Sequence, residues 1–371
     1  MDSLYNFQDI VKSFRYNGTF IKAEPYGFGH INNTYVVYIK KNNGAPVRYI
    51  LQRINTGIFK TPEKLMENID NVTGHIRKKV IEDGGNPDRE SLNLVRTTED
   101  KSYYKSETGE YWRSYLFIEG AQTFQLVENP EHFYHAGRAF GKFQQYLKDF
   151  PAASLHETIP NFHNTQKRYE DFLEAVRIDV KGRVEEVKAE IAFIMERAAD
   201  TKVLLSLQQE GAVPLSVTHN DTKLNNVMID DVTGEGVCVI DLDTVMPGLV
   251  LYDFGDAIRS GATTAVEDEA DLSKVWLDTA LFERFTRGFI STAGESMTEA
   301  ELEYLPFSAK LMTLECGMRF LGDYLNGDSY FRIKREKHNL DRARNQLKLT
   351  ADMEKNLEAM KQIVWDTRRH R

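Results

Sequence analysis

The stretch His219-Asn-Asp221-Thr-Lys-Leu-Asn-Asn226 has the pattern H-x-D-x-x-x-x-N, and an apolar run ending at Asp241 follows it. Asn, Asp and Thr favour turns, so a solvent-exposed turn would explain the composition of the first stretch. It would not explain the flanks: residues 214–218, 226–229 and 237–240 are apolar and β-prone. The sequence therefore predicts a loop held between short strands, with the last two strands paired across residues 230–236.

This arrangement resembles the catalytic loop and the metal-binding loop of protein-kinase-like phosphotransferases. Phosphoryl transfer passes through a loose transition state, so such enzymes mainly position groups and neutralise charge. The resemblance implies that Asp221 accepts the proton of the attacking hydroxyl. It also implies that Asn226 and Asp241 offer oxygen ligands to Mg²⁺ bound with ATP. We expect His219 to support the backbone of the loop.

Longer segments narrow the resemblance. Residues 218–226, 239–248 and 253–261 together are similar to the aminoglycoside phosphotransferase and choline kinase superfamily. Within that superfamily, residues 51–55, 59–66 and 319–331 resemble the N-acetylhexosamine 1-kinases. This resemblance implies transfer of a phosphoryl group from ATP to the anomeric (C1) hydroxyl of N-acetylglucosamine or N-acetylgalactosamine. It further implies that Arg319 and Tyr330, together with Asp221, contact the sugar.

Two other functions remain open. The first is a kinase of the same superfamily that acts on choline, homoserine or an aminoglycoside. A cationic acceptor would require an acidic or aromatic cage, and Arg319 would repel it. The second is a non-catalytic nucleotide-binding scaffold, which the joint presence of Asp221, Asn226 and Asp241 disfavours. Arg319 also has a structural alternative, since Glu315 stands four residues earlier, at the spacing of a helix salt bridge.

Composition limits the class of protein. A chain of 371 residues is long for one core, so two lobes are expected. The net charge of −9 argues against nucleic acid as a partner. The two cysteines stand in apolar surroundings and show no metal-binding spacing. We expect both to be reduced core residues, as in a cytosolic protein. With neither a signal-like N-terminus nor an apolar run of about 18 residues, we expect a cytoplasmic protein without a membrane segment.

The pattern along the chain predicts an α+β, bilobal, protein-kinase-like fold. We expect a β-rich N-terminal lobe over residues 1–118 and a helical C-terminal lobe over 119–371, with the hinge at Glu119-Gly120. The predicted strands are residues 19–26, 34–40, 48–54, 92–96 and 112–118. The predicted helices are residues 62–81 and 131–148, and the predicted mostly helical stretches are 169–199, 272–289, 299–324 and 340–365.

The first turn of the N-terminal lobe, residues 26–35, is expected to cover the ATP phosphates. Gly27 and Gly29 would let the backbone approach closely, with Asn33 and Thr34 beside them. The third strand lacks the lysine that protein kinases carry there. Arg53 is predicted to bind the nucleotide in its place.

Three further points stay open in the sequence. Gln52 is the alternative to Arg53, because neighbouring strand residues face opposite sides. Asp243 would share a face with Asp241 and would act as a second metal ligand, a supporting residue or a cap. Asp253 is read as an N-cap that supports the loop, and Arg259 as a partner for an aspartate.

Overall fold

The computed structural model describes residues 5–27 and 31–369. Gly29 lies outside the described residues. The strands within them are β1 Thr19–Pro25, β2 Asn33–Lys40, β3 Pro46–Arg53, β4 Tyr104–Lys105, β5 Tyr111–Leu116, β6 Ala121–Gln122, β7 Ser216–Thr218, β8 Val227–Asp230, β9 Gly236–Val239 and β10 Met246–Gly248. The α-helices are α1 Phe7–Lys12, α2 Pro62–Glu82, α3 Pro87–Glu90, α4 Pro130–Leu147, α5 Thr165–Ile178, α6 Lys188–Met195, α7 Val203–Gln209, α8 Val250–Gly261, α9 Thr279–Ala293, α10 Glu299–Leu325, α11 His338–Lys355 and α12 Leu357–Arg369.

The predicted α+β architecture is confirmed. An antiparallel sheet in the order β1-β2-β3-β5-β4 forms the N-terminal part, and helices dominate from α4 onward. Two small sheets, β10-β7 and β6-β8-β9, carry the loops that contain the H-x-D-x-x-x-x-N pattern and Asp241. The sheet-rich and helix-rich parts are therefore arranged as in a protein-kinase-like fold.

Strand register determines which side chains of the N-terminal sheet face the large lobe. Gln52 is paired with Arg113 across β3 and β5, and Arg53 is paired with Trp112. Because side chains alternate, the two pairs occupy opposite faces of the sheet. The Gln52–Arg113 face lies against α2, where Arg113 contacts the Met66 sulfur at 4.0 Å. Trp112, on the other face, is buried in the cluster formed with α1.

The helical part is held by close backbone packing and by one long buried helix. Helices α4 and α9 cross at Gly137 and Gly288, where a Cβ on Gly288 would lie 2.1 Å from the carbonyl oxygen of Tyr134. Helix α10 begins with a capping box, in which Thr298 and Glu301 each accept the other's backbone N–H. Most of α10 is buried, since it packs between α5, α8 and α11.

The predicted mostly helical stretch 169–199 is borne out, with α5 ending at Asp179, which adopts a left-handed conformation. The structure corrects two other sequence predictions. Residues 92–96 do not form a strand of the sheet; they are extended, with a single bridge from Leu94 to Tyr115. Asp253 is not an N-cap, since α8 starts after Leu249 and Asp253 lies inside its first turn.

Helix α10 is the longest helix in residues 5–27 and 31–369. No helix in these residues is both long enough and apolar enough to span a membrane.

The glycine contact between α4 and α9 gives a test of the packing. We expect Gly288→Ala to lower the free energy of unfolding by about 1–3 kcal/mol, because the added methyl would overlap backbone atoms of α4. Gly74→Ala, in α2, is the matched control: its Cβ meets no atom within 4 Å, so it should stabilise by roughly 0.5–1 kcal/mol. Urea unfolding measures both, and equal effects at the two sites would contradict the packing.

Candidate active site

Two loops from the small sheets meet in the cleft. The first follows β7 and contains Asp221 and Asn226, and the second follows β9 and contains Asp241. Asn220 and Asp241 have φ angles of +63° and +60°, in the left-handed region that Asn and Asp tolerate better than most residues. These two positions therefore let the chain turn sharply beside each carboxylate.

Asp221 is ionised and held in place by two side chains of its own loop. Lys223 Nζ lies 2.7 Å from Asp221 Oδ1. The Asn226 side-chain nitrogen donates to the Asp221 carbonyl at 2.7 Å and to Oδ2 at 3.1 Å. Burial acts to raise the pKa of Asp221, but the Lys223 cation and the Asn226 amide outweigh it and hold that pKa below its usual range. The carboxylate is thus charged and oriented.

Asn226 and Asp241 fit a magnesium site by donor chemistry. The amide nitrogen of Asn226 is used on Asp221, so its oxygen can face a cation. The Asp241 carboxylate is solvent-accessible and makes no hydrogen bond or ion pair to residues 5–27 or 31–369. Desolvation by the surrounding protein, followed by repulsion from Asp243 and Asp221, raises the pKa of Asp241 to about 7. Carboxylate oxygens gathered this way are stabilised by a divalent cation.

The backbone of both loops is supported from beneath. His219 Nε2 is 2.8 Å from the carbonyl oxygen of Ile240, which joins the two loops as the sequence predicted for this histidine. The buried Asp253 carboxylate accepts the backbone N–H groups of His219 and Asn220 at 2.9 and 2.8 Å. It also accepts a hydrogen bond from the Gln144 side chain at 2.6 Å. Asp253 is therefore a loop support, although it is not a cap.

A second aspartate–arginine pair supports the next turn of the loop. Asp256 accepts from the backbone N–H of Thr222 at 3.1 Å and from Arg259 at 2.8 Å, so Arg259 has an aspartate partner as predicted.

Asp243 is engaged by the small lobe. Arg113, on β5, forms an ion pair with Asp243 Oδ1, and Asn32 donates to Oδ2 at 2.5 Å. Gln52 holds Arg113 from the neighbouring strand, since Arg113 Nε donates to its side-chain oxygen at 2.9 Å. Burial acts to lower the pKa of Arg113, but the Asp243 charge outweighs it, so that pKa lies above its ordinary value.

The predicted nucleotide-binding residues of the N-terminal lobe are distributed on both sides of the sheet. Gly27 has φ +79° and open space around its Cβ position. Thr34 accepts a hydrogen bond from Gln52 at 3.0 Å and so lies on the cleft face. Arg53 lies on the opposite face, where it pairs with Glu110 at 3.2 Å and donates to Asn33. The structure therefore does not bring Arg53 or Asn33 to the carboxylate cluster, because strand alternation directs Gln52 there instead.

Arg319 and Tyr330 lie together beside α5. The Arg319 guanidinium carbon is 5.2 Å from the Phe162 ring centre and 5.6 Å from that of Phe331. Tyr330 is 65% exposed, and its ring is in edge contact with Phe331. Arg319 makes no hydrogen bond or ion pair to any residue that the structure describes. The guanidinium is therefore oriented by aromatic rings and is free to meet a ligand.

The alternative role for Arg319, a helix salt bridge with Glu315, is not formed. Glu315 is fully buried and is engaged by His163 Nδ1 at 2.8 Å and by the Thr165 hydroxyl at 2.5 Å. Burial acts to raise the pKa of Glu315, but His163 outweighs it and holds that pKa below its usual range. His163 Nε2 also reaches the Asn220 carbonyl at 3.4 Å, so it links the loop of Asp221 to Glu315, which lies on α10 one turn before Arg319.

The loop that carries Tyr330 is fixed by Asp323. Its carboxylate accepts the backbone N–H groups of Ser329, Tyr330 and Phe331 at 2.8 to 3.0 Å. Asn339 completes the set with a hydrogen bond of 2.9 Å. Residues 319–331 thus form one structural unit. The buried carboxylate of Asp323 holds Tyr330 and Phe331 next to Arg319.

Several residues of the site were not found from the sequence. Lys223 lies within the quoted pattern, and its position two residues after Asp221 was an available signal. Arg113 stands in the apolar run Tyr111–Leu116, and a charge in a buried strand is itself a signal. Asn32 gave no local signal, because its partner Asp243 is distant in sequence. Asp323 lies within the segment 319–331, six to eight residues before the backbone groups that it binds, so its spacing was an available signal.

The fold and the two loops define a kinase-like phosphotransferase. The sequence profile described as the phosphotransferase enzyme family (APH) matches residues 22–284, which is more than half of the chain. The chain belongs to this family.

Solved structures agree on the fold. An aminoglycoside phosphotransferase from Alicyclobacillus acidocaldarius subsp. acidocaldarius DSM 446 is 12% identical with a TM-score of 0.62, covering 99% of this chain and 98% of that chain. A microcompartment-associated aminopropanol kinase is 14% identical with a TM-score of 0.59, covering 95% and 97%. The amicoumacin kinase hAmiN, solved with AMP-PNP, Ca²⁺ and Ami, is 14% identical with a TM-score of 0.55, covering 96% and 94%. Likeness at these identities shows the fold alone.

Substitution of Asp253 tests whether it supports the loop or acts as a cap. Asn replaces Asp at an N-cap at little cost, but here it would turn an amide N–H₂ toward backbone donors. We expect Asp253→Asn to lower the free energy of unfolding by roughly 1–3 kcal/mol. Asp278→Asn is the control, because Asp278 is a true N-cap of α9 and should change by less than about 0.5 kcal/mol. Similar small effects in both variants would contradict the support role.

Proposed function

We propose that this protein is an ATP- and Mg²⁺-dependent kinase that phosphorylates the anomeric hydroxyl of an N-acetylhexosamine. The observation that carries the acceptor assignment is the unpaired Arg319 guanidinium, held between Phe162 and Phe331 and next to the exposed Tyr330. His163 connects this cluster to the loop of Asp221, so acceptor recognition and proton transfer can act on one molecule.

The proposed chemistry needs one base and a neutralised phosphate. Asp221 takes the proton of the sugar C1 hydroxyl while the hydroxyl oxygen attacks the γ-phosphorus of ATP. The bond between the γ-phosphorus and the β–γ bridging oxygen breaks, and ADP is released. Mg²⁺, when bound, neutralises charge on the phosphates, and Asn226 and Asp241 are the residues that would hold it. Lys223, 2.7 Å from Asp221, keeps the base ionised and adds positive charge beside the transferring group.

The charge around Arg319 favours a neutral acceptor over a cationic one. Arg168 donates twice to the Phe162 carbonyl, and burial together with the nearby Arg319 lowers the pKa of Arg168. Of the carboxylates that act on Arg168, Glu315 is already engaged by His163 and Thr165, and Asp171 is paired with Lys167. Choline or an aminoglycoside would therefore meet the positive charge of two arginines. An N-acetylhexosamine instead offers a carbonyl and hydroxyls, which a guanidinium can bind as a multiple donor.

The structural relatives support a small-molecule acceptor in general terms. Two are described as an aminopropanol kinase and an aminoglycoside phosphotransferase, and a third was solved with AMP-PNP and Ca²⁺. A second candidate function, phosphorylation of another alcohol, follows from those descriptions. We rank this second function below phosphorylation of a sugar because Arg168 and Arg319 would repel a cationic alcohol.

The function is tested directly by product analysis. We expect ADP release with N-acetylglucosamine or N-acetylgalactosamine but not with choline, homoserine or an aminoglycoside, and phosphorus NMR should show a sugar 1-phosphate. Asp221→Asn should lower kcat by about 10²-fold or more, because the base is lost while nucleotide binding remains. A 6-phosphate, or turnover of choline with no N-acetylhexosamine converted, would contradict the assignment.

Arg319 is tested separately from the base. We expect Arg319→Ala to raise KM for the sugar by roughly tenfold or more, with KM for ATP little changed, because one charge-assisted hydrogen bond to the acceptor is lost. Arg197→Ala is the control, since Arg197 also stacks on a ring, Phe193, but pairs with Glu354 away from the cluster. An unchanged sugar KM in Arg319→Ala would remove this residue from the acceptor site.

A further inference from the structure

Asp243 lies two residues after the proposed metal ligand Asp241. Each oxygen of its carboxylate faces a group from the N-terminal part of the chain: Oδ1 forms an ion pair that is not aligned as a hydrogen bond, and Oδ2 accepts a hydrogen bond. Arg113 is paired with one oxygen, and Asn32 donates to the other at 2.5 Å. Both donors belong to the N-terminal part of the chain, whereas Asp243 belongs to the loop after β9. We propose that Asp243 is a positioning residue that ties the N-terminal sheet and the phosphate-covering turn to the metal-binding loop, and that it is not itself a metal ligand.

Burial makes the loss of the Arg113–Asp243 ion pair costly. The Arg113 side chain is 1% exposed and that of Asp243 is 7% exposed. A buried charge that loses its partner is strongly unfavourable. If Asp243 turned toward a cation, Arg113 would remain as an uncompensated buried charge beside a second positive charge. The carboxylate that is solvent-accessible and unpaired in this part of the described structure is Asp241, not Asp243.

Each partner of Asp243 is itself fixed. Arg113 donates to Gln52 at 2.9 Å, and Gln52 donates to Thr34 at 3.0 Å, so three adjacent strands hold the guanidinium. Asn32 accepts the backbone N–H of Asn55 at 2.9 Å, which anchors the end of the turn. These bonds define a path from the turn and the sheet to Asp243.

The link from Asp243 to Asp241 is short and rigid. Residues 242–244 form a single 3₁₀ turn, in which Leu242 is buried in the core cluster shared with α2. Asp241 stands immediately before this turn, with left-handed backbone angles. Displacing Asp243 would therefore move Asp241, and the sheet sets the position of the metal ligand through Arg113 and Asn32.

Metal stoichiometry distinguishes a positioning residue from a ligand. The inference rests on the proposed metal-binding role of Asp241 and is independent of the acceptor. Electron paramagnetic resonance would count Mn²⁺ bound per chain in the presence of AMP-PNP. We expect Asp243→Asn to bind as many ions at saturation as the wild type, with weaker affinity, and Asp241→Asn to bind at least one fewer. Loss of an ion in Asp243→Asn would overturn the inference, whereas no loss in Asp241→Asn would instead overturn the metal role proposed for Asp241.

A double-mutant cycle tests the pairing by its effect on melting temperature. Arg113→Met leaves a buried carboxylate unpaired, and adding Asp243→Asn removes that charge. The loss in the double variant should be smaller than the sum of the single losses by at least about 3 °C. The exposed pair Arg15 and Asp100, 2.8 Å apart in the same part of the chain, is the control, and Arg15→Met with Asp100→Asn should be additive. Additive losses at Arg113 and Asp243 would contradict the pairing; if Arg113→Met does not fold, the Mn²⁺ count in Asp243→Asn still decides.

Discussion

Repulsion between the carboxylates of one cleft is the constraint on which the site depends. Asp221 and Asp243 raise the cost of ionising Asp241: desolvation by the surrounding protein, followed by these two charges, raises the pKa of Asp241 to about 7. The protein balances two of the three charges itself, with Lys223 at Asp221 and Arg113 at Asp243. The third, Asp241, has no cationic partner among residues 5–27 and 31–369, and we propose that a bound metal ion balances it.

This charge balance also explains how the two parts of the chain cooperate. The cation that pairs with Asp243 comes from β5, so the N-terminal sheet is held against the loop of Asp241 and Asp243 by an ion pair as well as by apolar contact. The cation beside Asp221, Lys223, comes from the same loop, so this pair does not depend on the N-terminal sheet. Gln52 takes the position on β3 that faces the cleft, and its role is to hold Arg113.

At the proposed acceptor site the unbalanced charge is positive rather than negative. Burial, followed by the nearby charge of Arg319, lowers the pKa of Arg168, and Glu315 is engaged by a histidine and a threonine. Two cations therefore lie near Tyr330. If this is the acceptor site, as proposed, their charge favours hydrogen-bond acceptors over ammonium groups.

The parts of the structure that local sequence determines were predictable. Turn chemistry and flanking β-prone residues were sufficient for the Asp221 loop, and apolar periodicity was sufficient for α2 and α4. Residues 92–96 were misread because β-prone composition does not guarantee a pairing partner. The pairing of Arg113 with Asp243 depends on a contact between distant segments, which no local pattern encodes. Arg53 illustrates the limit, since the strand was found but the face that meets the cleft depended on the sheet around it.

The most direct measurement is a crystal structure of the ternary complex with AMP-PNP, Mg²⁺ and N-acetylglucosamine. We expect the anomeric oxygen to lie within about 3 Å of an Asp221 carboxylate oxygen. We also expect the N-acetyl carbonyl or a ring hydroxyl to accept a hydrogen bond from Arg319. A sugar bound with another hydroxyl facing Asp221, or bound without contact to Arg319, would contradict it.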